Sequence, residues 1–161
     1  NEQLIITGQN GIGKSSLFKF ILNQVQMDPT GEFHVNAHAQ ISYLSQSVKL
    51  NGTIPQLADQ NGLNLNEILN LLRKLGMLRD VFDLPIERMS KGQQKKVALA
   101  KSLVEQANLY LWDEPLNYLD IENQQQILTL IKEKSPTMLI VEHDQKFIDS
   151  FDPQFVKCLK R

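Results

Sequence analysis

One cysteine in 161 residues, Cys158, excludes an internal disulfide. It reads as a small hydrophobe packed near the C-terminus, with no chemistry attached to it. Also missing is any apolar run approaching the roughly 20 residues that cross a bilayer, and no basic segment followed by an apolar one opens the chain. A cytoplasmic protein is expected. Neither sign of charge is in excess: 17 Lys and Arg against 18 Asp and Glu leave a net charge of −1, so the overall charge gives no reason for strong non-specific binding to nucleic acid. An initiating Met is absent and an apolar strand pattern begins within three residues, as expected of a piece of a longer polypeptide. What is present is ordinary for a folded soluble chain. Hydrophobic residues make up 42% and charged residues 22%, which sets disordered and fibrous classes aside, and the length suits one core and one domain.

Leu4-Ile5-Ile6-Thr7 is a short apolar, β-branched run, followed by Gly8-Gln9-Asn10-Gly11-Ile12-Gly13-Lys14-Ser15-Ser16 and then by Leu17, Phe18, Ile21, Leu22 and Val25 at helical spacing. The pattern predicts a strand, a Gly-x-x-x-x-Gly-Lys-Ser phosphate loop and a helix. Glycines let successive backbone N–H groups curl around a phosphate, and the helix N-terminus behind them adds partial positive charge. Lys14 is placed to reach β- and γ-phosphates, and the Ser15 hydroxyl to ligate Mg²⁺.

After that helix, Met27-Asp28-Pro29-Thr30-Gly31 reads as a turn in which Pro29 ends the helix. Residues 31–35 and 41–44 read as short strands. His34 and His38 are four apart, but in a non-helical pattern without Cys or an acidic cluster, so they read as surface or strand histidines. From Ser45-Gln46 to about Arg88 the composition turns to Asn, Gln and Leu and predicts a small helical insertion. There Asn64-x-x-Glu67 resembles a capping box, Ile68, Leu69, Leu71, Leu72 and Leu75 form a stripe, and Gly76 is the C-cap.

Ser90-x-x-Gln93 is a second capping box, ahead of a helix with Val97, Ala100, Leu103 and Val104 on one face. A free Ser90 hydroxyl, Gly92 and Gln93 at a helix mouth suit a second anion site. The segment reads equally as a capped amphipathic helix with a lysine-rich solvated face. Leu109-Tyr110-Leu111-Trp112-Asp113-Glu114-Pro115 is a buried strand ending in two adjacent carboxylates. Neighbours on a strand point to opposite sides, which leaves Asp113 to hold Mg²⁺ through water and Glu114 to polarise the attacking water. Asp120 is an N-cap for a helix carrying Ile127, Leu130 and Ile131. Thr137-Met138-Leu139-Ile140-Val141 is a further strand ending in Glu142-His143-Asp144. There His143 either donates to a γ-phosphate or sits in an exposed turn. Residues 147–161 read as a short helix and a last strand around Phe155-Val156-Lys157-Cys158-Leu159.

Taken in order, these segments resemble the ATP-binding cassette (ABC) superfamily over nearly the whole chain. The Walker A loop is Gly8 to Ser16, and the Q-loop glutamine is Gln46. The signature, usually Leu-Ser-Gly-Gly-Gln, stands as Met89-Ser90-Lys91-Gly92-Gln93. Walker B is Leu109 to Asp113 with Glu114 after it, the D-loop ends at Asp120, and the H-loop histidine is His143. The resemblance implies an α/β P-loop ATPase fold, a mostly parallel sheet flanked by helices. One cassette would span 1–161, its N-terminal strands missing and a helical subdomain inserted over 47–88. It implies ATP and Mg²⁺ as ligands: Gly8, Gln9, Asn10, Gly11, Ile12, Gly13, Lys14, Ser15 and Ser16 around the phosphates, Ser15, Gln46 and Asp113 at the metal, and Glu114, His143 and Gln46 at the reacting phosphate. Ser90, Gly92 and Gln93 would then bind the nucleotide held by a second cassette.

Transporter cassettes usually carry Ser-Ala-Leu-Asp in the D-loop, whereas Asn117-Tyr118-Leu119-Asp120 is similar to the ABC-F proteins, which have two cassettes in one chain and act on ribosomes. The short insertion and Lys95 to Leu103 are similar to the second cassette of ABC-F antibiotic-resistance proteins. The expectation is an ATP-driven conformational switch on the ribosome. Its alternative is the nucleotide-binding subunit of a membrane transporter, docked to a membrane domain near the insertion. Two residues depart from the pattern. Lys91 replaces the first signature glycine, and the adenine-stacking aromatic belongs to sequence before the first strand, so nucleotide affinity of this piece is expected to be poor.

Overall fold

The computed structural model describes residues 2–9, 11–24, 36 and 38–159. The expectations at Asn10, Val25, the 27–31 turn, the 31–35 strand and His34 lie outside these.

The β-branched, apolar segments pair as one parallel sheet: β1 Gln3–Thr7, β2 Ile41–Leu44, β3 Leu109–Asp113, β4 Met138–Val141 and β5 Val156–Cys158, in the order β2-β3-β4-β1-β5. The two-residue period of a strand sends alternate side chains to opposite faces. Ile6, Leu111 and Val141 pack with Phe18 and Ile21 of α1 (Lys14–Ile21) on one face. Ile5, Trp112 and Ile140 enter the larger core on the other, with α4 (Lys91–Val104) and α5 (Ile121–Lys134), α2 (Ile54–Gln60) and α3 (Leu65–Lys74) being the two helices of the insertion. A sheet covered on both faces is what its near-continuous apolar strands require.

Helix α1 stops well before Pro29. Asn23 adopts φ 56°, its N–H donates to Phe20 O, and the Gln24 N–H donates to Lys19 O. That left-handed cap closes the helix by backbone bonds alone. In the insertion, α2 (Ile54–Gln60) starts on a reciprocal Thr53/Gln56 capping box. Helix α3 (Leu65–Lys74) starts on Asn64, whose side chain accepts from the N–H groups of Asn66 and Glu67. The Glu67 carboxylate does not return a bond, so only half of the expected box forms. Ile68, Leu71, Leu72 and Leu75 are buried, and a turn at Gly76 ends the helix through Gly76 N–H to Arg73 O and Met77 N–H to Leu72 O. Ile68, Leu72 and Ile86 belong to the same core as Val97 and Trp112. No helix among the described residues is long and apolar enough to cross a membrane. Cys158 corrects its expectation: on β5, at the end of the strand order, it is exposed rather than packed.

Register decides where the loops leave the sheet. Ile6 and Asp113 flank Val141 from its two sides, and Leu44 lies beside Trp112. The C-terminal ends of β1, β2, β3 and β4 therefore finish level, and the segments after them share one edge, where parallel sheets collect ligands.

Candidate functional site

Residues of four loops line a cleft of about 530 Å³ on that edge: Gly11, Gly13, Lys14, Ser15 and Ser16 after β1, Gln46 after β2, Glu114 and Asn117 after β3, and His143 after β4. The volume is within the usual range for a small-molecule site. Gly13, at φ 105°, caps α1 in a left-handed conformation, and no atom lies within 4 Å of where a Cβ would sit, so the loop leaves open space over the helix N-terminus. Lys14 is 7% exposed and its Nζ donates to Gly8 O at 2.7 Å and to Gln9 O at 3.0 Å. An ammonium has three protons to donate. The third is left for an anion in the cleft.

Asp113 closes β3 and is buried; Glu114 lies beyond the strand, at φ 48°. The two carboxylates part because the backbone turns left-handed at Glu114, and not through the strand alternation expected from the sequence. Burial pushes the Asp113 carboxyl above its ordinary value and Glu114 adds to this, while a Ser15 side-chain hydrogen bond, Lys95 and Lys14 oppose it. Its Oδ1 is buried without a hydrogen-bond partner among the described residues. An orphaned carboxylate oxygen beside a serine hydroxyl suits a hard cation. Among the described residues no group of three or more His, Cys, Asp and Glu gathers; Mg²⁺ is ordinarily held by one or two carboxylates together with substrate phosphate. The residues present fit the ion.

The Glu114 Oε2 accepts from Gln46 Nε2 and from Asn117 Nδ2, each at 2.6 Å. Sequence reasoning placed Asn117 only within a D-loop pattern and missed it as a site residue. Its three-residue spacing from Glu114 across Pro115 was the available signal. His143 is exposed at the cleft, its Nδ1 3.4 Å from Glu142 Oε1. Glu142, itself buried, accepts from the N–H groups of Leu116, His143 and Asp144, tying the start of the D-loop to the H-loop.

Helix α4 is not lysine-solvated throughout. Lys95 has no solvent exposure, and its Nζ reaches Ser45 O and Gln46 O at 3.4 and 3.5 Å. Burial lowers its pKa to about 8 against the raising effect of Asp113, Glu142 and Glu114. Ser90 and Gln93 form the reciprocal capping box expected of them. Together with Gly92 they are not among the residues lining the cleft. Gly8, Gln9 and Ile12 are likewise not among the lining residues. Gly8 and Gln9 carry the Lys14 bonds, and Ile12 N–H donates to Gln9 O.

A family profile for ABC transporters matches residues 1–117. The ribosome protection protein VmlR of Bacillus subtilis is 32% identical over 152 residues, which is 92% of this chain and 27% of that protein. The ATP-binding protein Uup of Escherichia coli is 28% identical over 158 residues, 92% of this chain and 25% of its own. The chain thus spans about a quarter of the length of these relatives. Among solved structures, an archaeal ribosome recycling factor, aABCE1, in complex with the ribosomal stalk protein aP1, superposes with a TM-score of 0.74 at 31% identity over 92% of this chain and 30% of that one. With a profile match over more than half of its length, the chain belongs to the ABC transporter family of ATP-binding cassette ATPases.

Proposed function

We propose that this cassette binds and hydrolyses ATP together with a second cassette, as a conformational switch of ABC-F type working on the ribosome. The observation that carries the reading is the meeting of Lys14, Ser15, Gln46, Glu114 and His143 on one cleft, with an Asp113 oxygen that has no partner among the described residues on the carboxylate beside Ser15. Lys14 and the loop N–H groups hold the phosphates of the substrate. Ser15, Asp113 and Gln46 would hold Mg²⁺, which when bound neutralises phosphate charge and orients the terminal group. Glu114 orients the attacking water and takes its proton. His143, exposed at the cleft mouth, donates to the terminal phosphate. The ribosomal assignment is supported by relatives described as a ribosome protection protein and a ribosome recycling factor, and by the Asn117-Tyr118-Leu119-Asp120 loop. A transporter subunit is the weaker reading.

Replacing Glu114 by Gln in the intact polypeptide is the test. Removing the base while keeping the shape should lower kcat by about a hundredfold or more, within the range for a general base, with ATP still bound. Unchanged turnover would remove Glu114 from the catalytic role.

A further inference from the structure

Both amides that touch Glu114 end on the same atom, Oε2, at 2.6 Å each, while Oε1 has no hydrogen-bond partner among the described residues. A carboxylate can only accept, so each amide presents its NH₂ group, and the orientation of both side chains follows from chemistry. Charge-assisted bonds of this length are the strong class. The two donors differ in origin. Gln46 arrives from the loop after β2, 68 residues away in sequence, whereas Asn117 is the fourth residue of the turn that begins at Glu114, closed by Asn117 N–H to Glu114 O at 3.4 Å. Under the function proposed above, on which this inference rests, Gln46 is also needed at the metal and the terminal phosphate. Its amide oxygen is the atom that can ligate the metal and its NH₂ has one proton left after the bond to Glu114, so turning the amide toward the metal and the phosphate competes with the geometry of the Glu114 bond. Asn117 has no second duty in the cleft.

We propose that Asn117 is a positioning residue for hydrolysis: it anchors Oε2 of Glu114 through the left-handed turn, so that Oε1 is the oxygen presented to the water. The turn supplies the rigidity. Glu114 is fixed at φ 48° by its N–H bond to Val141 O at 2.9 Å, and Leu116 N–H is held by the buried Glu142. A carboxylate held by its backbone alone would still rotate about its side-chain torsions. A bond to one oxygen removes that freedom.

The test is a double-mutant cycle in the intact polypeptide, measuring kcat and KM for ATP. Asn117→Ala should lower kcat about tenfold with KM within about twofold, because phosphate binding rests on Lys14 and its loop. Asn117→Asp, of equal size but presenting an oxygen to an oxygen, should lose at least as much. In a Glu114→Gln background, Asn117→Ala should cost nothing further, since its only route to the chemistry is gone. An unchanged KM also shows that the variants fold. Wild-type kcat in both Asn117 variants, with Glu114→Gln inactive, would overturn the anchor while leaving the hydrolytic reading intact. So would losses that multiply in the double mutant, which would place Asn117 in packing or assembly. A fully active Glu114→Gln would instead remove Glu114 as the base, and the anchor with it, whereas a wild type that binds ATP without turning it over would overturn the hydrolytic reading itself.

Discussion

Gly92 carries a constraint that its place in the signature motif conceals. It sits in the first turn of α4, where Ala is ordinarily better than Gly by about 0.5–1 kcal/mol. Here a Cβ would stand 2.8 Å from Tyr118 O, a backbone carbonyl of the D-loop, and Tyr118 is itself at φ 70°. A backbone atom already in a left-handed conformation retreats only by moving the loop that carries Asn117. Gly92→Ala should therefore destabilise the protein by roughly 1–3 kcal/mol, the usual cost of overpacking, read as a lower midpoint in urea; an increase in stability would show that the contact is not tight. The motif spelled out this glycine in the sequence, but only as a phosphate-side glycine. Its contact with a loop 26 positions later was invisible because no local pattern encodes a close approach between remote backbones. Asn117 was hidden for the opposite reason: it lay in plain view as part of a family pattern, and that pattern has no term for the oxygen its side chain reaches.

At the scale of elements, local rules served well wherever a helix or strand is determined by its own residues. The phosphate-loop strand, the Ser90/Gln93 box and the Asp120 cap, which accepts from Asn123 N–H, all follow from neighbours in the chain. Helix α2 announced itself in Thr53, Pro55 and Gln56, although the composition of the insertion drew attention to α3 alone. Lys95 is the failure with a physical lesson. Helical periodicity assigns it to the polar side of α4, yet that side is covered by the loop after β2 and faces Asp113 and Glu142, from elements distant in sequence. Burial lowers its pKa to about 8 from the usual 10.5. Between those values the unfolded chain binds more protons than the folded one, so stability rises with pH across that window. Below it the folded protein carries a cost on the order of 3 kcal/mol. The Lys95→Met variant lacks this titration. Subtracting its urea-unfolding free energies from those of the wild type, between pH 7.5 and 10.5 without ligand, should give a difference that grows with pH. A flat difference would mean that the ammonium finds water or a full counter-charge in the folded state.

For the whole molecule the decisive fact is a separation. Lys14, Gln46, Glu114 and His143 line one cleft, and Ser90, Gly92 and Gln93 do not reach into it. Helix α4 nevertheless begins with N–H groups only partly capped by its own side chains: Ser90 takes the Gln93 N–H and Gln93 takes the Ser90 N–H, while the N–H groups of Lys91 and Gly92 between them have no partner within the helix. A helix mouth of this kind attracts an anion. If that anion is the nucleotide on a second cassette, each active site is composite, and this chain alone supplies only half of each. The 161 residues on their own should then turn over ATP barely above the uncatalysed background. Adding a second cassette should raise turnover by orders of magnitude. Because a composite site needs two cassettes to meet, any activity of the isolated chain should scale with the square of its concentration at low concentration and vanish on dilution. The measurement is turnover per mole of chain across a hundredfold range of concentration, alongside the mass in solution. A constant, substantial rate from a monomer would show that the cleft after β1, β2, β3 and β4 is complete by itself, and that the Ser90 helix mouth has no part in the reaction.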